Sequence, residues 1–97
     1  MNIDEIKALY EKYEDDFLEF EKVENKKSKR VDIHAMLLMD ELVPGDENIV
    51  SAASHDIIYF GVDAKVLARV MTEEHVLELI RCGVSFSSDE NCFYKFT

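Results

Sequence analysis

Apolar residues recur in the first part of the chain as Ile3, Ile6, Tyr10, Tyr13, Phe17 and Phe20, at spacings of three, four, three, four and three. That spacing lays one stripe along a helix, close to a heptad seam, with Glu and Lys filling the other positions. Asn2 followed by Glu5 resembles a capping box, so a long helix is predicted over 3–25. The stripe is short for a free-standing coiled coil, which needs about 3–4 heptads. It either packs on the rest of the domain or meets a partner helix, which leaves a homo-oligomer open. "ENKKSKR" then reads as a solvated basic connection. The chain divides into an amphipathic helix at 1–25, a basic linker at 26–31 and an acidic α+β core at 32–97 within a single domain 1–97.

Beyond the linker the pattern changes. "IHAMLLMDELV" is apolar nearly all round, so a buried helix is predicted over 33–43, with Asp32 as its cap and Pro44-Gly45 as its stop. Ile49 to Ala53 and Ile57 to Val62 read as two short strands, with Ser54 and His55 at the hairpin tip. Asp63 and Thr72 are placed to cap two further helices. The first carries Val66, Leu67, Val70 and Met71 on one face, and the second carries Val76, Leu77 and Ile80. Gly83 is a natural terminator of the latter, which leaves Cys82 at its end. In the tail, Val84 and Phe86 alternate with serines. "SSDEN" turns, and Cys92, Tyr94 and Phe96 share a face, so Cys92 is read as a small core residue. The predicted fold is α+β: a small, mostly antiparallel sheet of two hairpins, packed with about four helices.

Composition adds one strong constraint. The 97 residues carry a net charge of -10. Residues 1–30 hold nine acidic and seven basic side chains, net -2, and residues 31–97 hold twelve and four, net -8. Such a field repels nucleic acid and favours a basic protein partner, besides keeping the chain soluble. Candidate contact residues are the acids of the second part: Asp46, Glu47, Asp63, Glu73, Glu74, Asp89 and Glu90. No apolar run approaches the ~20 residues of a membrane span, so no membrane partner is expected. The charged N-terminus has no signal-peptide pattern, and a cytoplasmic location is expected. Two cysteines are too few for a disulfide scaffold, and a reducing compartment would keep them as thiols.

Chemical motifs are sparse. GxSxG, P-loop and GxGxxG patterns are absent, as are CxxC and HxxxH spacings, so the chain is not expected to be an enzyme. A scattered metal set deserves a geometric argument. His34 to Val43 spans ~13 Å as helix, and Ile49 to His55 spans ~20 Å as strand. If those elements pack antiparallel, His34 returns near the hairpin tip. The helix ending at Cys82 would return to Asp56 on the other side. His34, His55, Asp56 and Cys82 would then converge, and these are suitable ligand types for tetrahedral zinc. The alternative is an unrelated turn histidine, helix-start histidine and buried thiol.

The segment from about residue 37 to residue 86 carries a recognisable order of motifs. A leucine-rich helix ends in "LVPG" at Leu42–Gly45, and an "NI…AA" segment follows at Asn48–Ala53. "HD" stands at His55–Asp56, "TEE" opens a helix at Thr72–Glu74, and "CGV" closes it at Cys82–Val84. This order resembles small phage-encoded proteins, and some small acidic proteins of this sort resemble type II-A anti-CRISPR inhibitors. At least one such inhibitor contains zinc and prevents target-DNA loading by the RNA-guided nuclease it binds. The resemblance implies a phage anti-defence protein acting in the infected bacterial cell, with the host CRISPR effector nuclease as partner and zinc as a cofactor. The alternative is a phage structural or assembly module that oligomerises through the N-terminal helix.

Overall fold

The Asn2 carboxamide accepts the Glu5 amide at 2.8 Å, and a Glu5 carboxylate oxygen accepts the Asn2 amide at 3.1 Å. This closed capping box starts helix α1, Ile3–Lys12, in a computed structural model that describes residues 1–97. The helix is ten residues long, not the long element expected over 3–25. Two 3₁₀ turns follow at Glu14–Asp16 and Phe20–Lys22, separated by Leu18 in the left-handed region at φ 61°. Continued helix would have stacked Glu11 on Asp15 and Asp15 on Glu19, like charges at i,i+4 near the negative end of the dipole. The chain instead bends so that the Leu18 amide donates to the Ile80 carbonyl at 3.1 Å. Arg81 then meets Asp16 at 3.4 Å.

Helix α2 spans Val31–Leu42. Arg30, not Asp32, is its N-cap, and Asp32 lies in the first turn with its carboxylate accepting the Ile33 amide. Helices α3 (Ala64–Val70) and α4 (Glu73–Arg81) start as their caps predict. Asp63 accepts from the Lys65 amide, and Thr72 accepts from the His75 amide. His75 completes a second capping box through its own ring nitrogen. Gly83, at φ 73°, turns the chain out of α4. An added Cβ there would stand 2.7 Å from the Leu18 side chain, so both backbone angle and space require glycine.

Strands β1 (Val50–Ser54), β2 (Ile57–Phe60), β3 (Val84–Ser87) and β4 (Cys92–Phe96) form one antiparallel sheet in the order β1-β2-β4-β3. The two predicted hairpins are both present, joined through β2 and β4. Val84 stands opposite Lys95, which stands opposite Ile58, and Phe86 stands opposite Phe93. Facing residues share a side of the sheet, so Val84, Phe93 and Lys95 point toward the helices. Cys92, Tyr94 and Phe96 therefore point away, and the expected assignment of Cys92 to the core is corrected. In "CFYKF" the more apolar phase is Cys92, Tyr94 and Phe96, yet the register that seats Val84 and Phe93 in the core turns Phe93 and Lys95 inward.

One core joins the sheet to the helices. Ile6, Met39, Leu67, Val76, Leu79 and Ile80 pack with Phe60, Val84 and Phe93. The Tyr10 hydroxyl donates to the Val84 carbonyl at 2.8 Å and ties α1 to the start of β3. No helix is long and apolar enough to cross a membrane. The sheet's orientation has a direct test in urea denaturation. Phe93, fully buried, should cost about 3–5 kcal/mol as Phe93→Ala. Phe96, 56% exposed, should stay within about 1 kcal/mol as Phe96→Ala. The reverse order would mean that the other face of β4 is the buried one.

Candidate functional site

Pro44 cannot continue α2 and restricts the residue before it, so the helix ends at Leu42 and the chain enters the loop 43–49. The Gly61 amide donates to the Ile49 carbonyl and ties that loop to the end of β2. Between them lies a cleft of about 270 Å³. Asp40, Asp46, Glu47 and Asp63 line it, and no lysine or arginine does. None of these four carboxylates belongs to the protein's ion pairs. Asp63 is partly committed to capping α3, whereas Asp46 and Glu47 stand exposed on the loop. The result is a concave patch of uncompensated negative charge, which concentrates cationic groups at its mouth.

Three of the seven acids expected to contact a partner, Asp46, Glu47 and Asp63, thus come together. Asp40 joins them from the last turns of α2. Its signal was its position just before "ELVPG", where the helix delivers it to the loop. The other four lie elsewhere. Glu73 and Glu74 open α4, and Asp89 and Glu90 sit in the β3–β4 turn. Glu73 is engaged by the Tyr13 hydroxyl and by Lys12, and these hold its carboxyl below the usual range, the Tyr13 bond first.

The four residues expected to bind zinc are distributed differently. His34 is 1% exposed. Its Nδ1 accepts the Lys27 amide at 3.0 Å, which puts the proton of the neutral ring on Nε2. Nε2 is buried without a hydrogen-bond partner and faces a Glu78 carboxylate oxygen at 3.5 Å. The Phe20 ring lies edge-on to the imidazole. His34 therefore pins the basic linker to α2, and Glu78 is the neighbour that sequence reading missed. His55 and Asp56 form the exposed β1–β2 turn, with His55 left-handed at φ 50°. The Asp56 carbonyl accepts the Thr97 amide at 2.7 Å. Cys82 is fully buried beneath the α4–β3 junction.

No three His, Cys, Asp or Glu side chains stand close enough to hold one metal ion, so His34, His55, Asp56 and Cys82 do not converge. The anticipated path fails because α2 packs on α3 rather than along β1. Burial first, then Glu78, push the Cys82 thiol up to about 12, against the pull of Lys95.

The fold is a helix-covered antiparallel α+β sheet bearing an acidic cleft. No family model matches the chain, and neither a curated protein nor a solved structure matches it.

The thiols give a measurable contrast. At pH 8 a disulfide reagent should leave Cys82 untouched in the native protein and modify it only on unfolding. Because the Cys82 pKa is raised by folding, its contribution to stability is full below the ordinary thiol value of 9.0 and is lost as pH climbs toward about 12. Urea midpoints should fall over that window in the wild type and fall less in Cys82→Ala. Rapid native modification of both thiols, or identical alkaline profiles, would contradict this placement.

Proposed function

We propose that this chain is a non-catalytic phage anti-defence protein, an anti-CRISPR inhibitor that binds a type II RNA-guided nuclease and blocks target-DNA loading. The carrying observation is the acidic cleft, where Asp40, Asp46, Glu47 and Asp63 meet with no cation among its lining residues. The net charge of -8 over residues 31–97 points the same way. An effector of this kind holds nucleic acid in a positively charged channel. An acidic protein competes for that channel electrostatically, and charge complementarity speeds the encounter. The order of motifs from "LVPG" to "CGV" is what directs the proposal to phage inhibitors among acidic binding proteins.

The alternative, an assembly module oligomerising through the N-terminal stripe, meets a competing use of that stripe. Ile6 is buried in the chain's own core, and Tyr10 bonds to β3. Zinc enters the proposal through the resemblance alone. About one metal per chain in protein purified without added zinc would support it, and folded, metal-free protein would remove it.

The test is a target-DNA binding assay with purified nuclease loaded with guide RNA. Binding should fall as this protein approaches equimolarity, and the inhibitory affinity should weaken steeply with salt. The double variant Asp46→Asn, Glu47→Gln should inhibit roughly tenfold less well while melting as the wild type does. Normal cleavage at a large molar excess of this protein would overturn the proposal.

A further inference from the structure

The bend that ends α1 also shapes a groove. The chain turns through Glu14–Asp16, the Phe17 amide donates to the Glu14 carbonyl, and the Leu18 amide is held by the Ile80 carbonyl. Glu14 and Phe17 are thereby set beside β3, an outer strand of the sheet, across an open groove of about 510 Å³.

Four aromatic side chains line this groove. Tyr10 comes from α1, Phe17 from the bend, Phe86 from β3 and Tyr94 from β4. The Tyr10 and Phe86 rings stand 6.0 Å apart. The Tyr10 hydroxyl is spent on the Val84 carbonyl, so Tyr10 contributes ring surface rather than a free polar group. Phe17 is 41% exposed and lies outside the hydrophobic core.

Glu14 is the one charged residue in the lining. It belongs to none of the protein's ion pairs. The cations of neighbouring segments are committed elsewhere, Arg81 and Lys22 to Asp16 and Lys12 to Glu73. The groove therefore joins aromatic surface to a carboxylate that has no counter-ion.

That carboxylate selects the occupant. An apolar side chain would cover Glu14 and strip its water without supplying a cation, which costs free energy. A second copy of this face would bring another Glu14, and a phosphate would meet the carboxylate's repulsion. A guanidinium satisfies both halves of the groove. Its plane stacks on aromatic rings, and its N–H fork donates to a carboxylate. An ammonium is a more strongly hydrated point charge and gains less from the rings.

We propose that this groove is a binding site for an arginine side chain of a protein partner, with Glu14 as the counter-ion and the Phe17 ring as a stacking surface. The proposal rests on the proposed function only in taking the partner to be a protein with a basic surface. It adds a second contact point, which shares no residue with the acidic cleft.

The probe is a blocked glycine–arginine–glycine peptide, titrated into the isotope-labelled full-length chain and followed by amide NMR shifts. Shifts should concentrate at Glu14, Phe17, Ser85 and Phe86, and affinity should weaken as salt rises. Glu14→Gln should weaken binding about fivefold, and Phe17→Ala about threefold. Both side chains are exposed, so both variants should melt as the wild type does. Lysine in place of arginine should bind more weakly, and citrulline, which keeps the shape and loses the charge, should not bind. Equal binding by the citrulline peptide or by Glu14→Gln, tighter binding of a leucine peptide, shifts confined to the 40–63 cleft, or no shifts at all would each overturn the proposal. So would a dimer in sedimentation that Phe17→Ala dissolves. If the wild type binds the arginine peptide in this groove but leaves the nuclease uninhibited, the inhibitor reading falls and the arginine site stands. If the wild type inhibits and Glu14→Gln binds the peptide unchanged, the arginine site falls alone.

Discussion

The passage from α4 into β3 governs much of this structure. Val76, Leu79 and Ile80 bury one face of α4, Cys82 ends it, and Gly83 reverses the chain at φ 73°. Only a residue without a Cβ fits there, because the Leu18 side chain packs onto the glycine. Leu18 in turn is held by its amide bond to Ile80. So the bend that ends the first helical segment and the turn that begins β3 are two sides of one contact. That contact delivers Val84 to the core, and each later strand inherits its facing from it. Val84 sets Lys95 opposite, Lys95 sets Ile58, and the rings of Tyr94, Tyr59 and Phe96 are left on the other side.

Local chemistry made much of the fold legible in the sequence. Asn2, Asp63 and Thr72 cap where their side chains say they should, Gly83 stops α4, and the β-branched and aromatic runs pair as hairpins. Each of these is decided within a few residues. The long first helix was misread because its apolar spacing is sound while its charges are not. The carboxylates at Glu11, Glu14, Asp15, Asp16 and Glu19 weigh against helix, and the Leu18–Ile80 contact completes the break. The facing of β4 was not legible, since the more apolar phase of "CFYKF", Cys92, Tyr94 and Phe96, is the one that faces outward. Only the pairing with β3 chooses, and that is a long-range fact.

The site residues divide along the same line. Asp46 and Glu47 are neighbours in sequence, and Asp63 reaches them because the β1–β2 hairpin must return its end to its beginning. That closure is implied by the hairpin and was recoverable. The convergence of His34, His55, Asp56 and Cys82 required a packing direction for α2, which no local signal specifies. Helix α2 lies on α3, so His34 spends its Nδ1 on the Lys27 amide and turns Nε2 toward Glu78. Its burial secures the linker, and the exposed hairpin tip is left to His55 and Asp56 as an ordinary turn whose carbonyl receives the end of β4.

A chain this short has little apolar surface to spare, and only 19 of its 97 residues are buried. Against that scarcity, β4 places Lys95 inward and Phe96 outward. Lys95 does useful work where it lies, since its charge opposes the pull of Glu78 on the Cys82 thiol and its amine reaches toward Gly83. No comparable structural gain attaches to the exposed Phe96 ring. Sequences consistent at every level put such residues inside, and departures from that rule collect at functional surfaces.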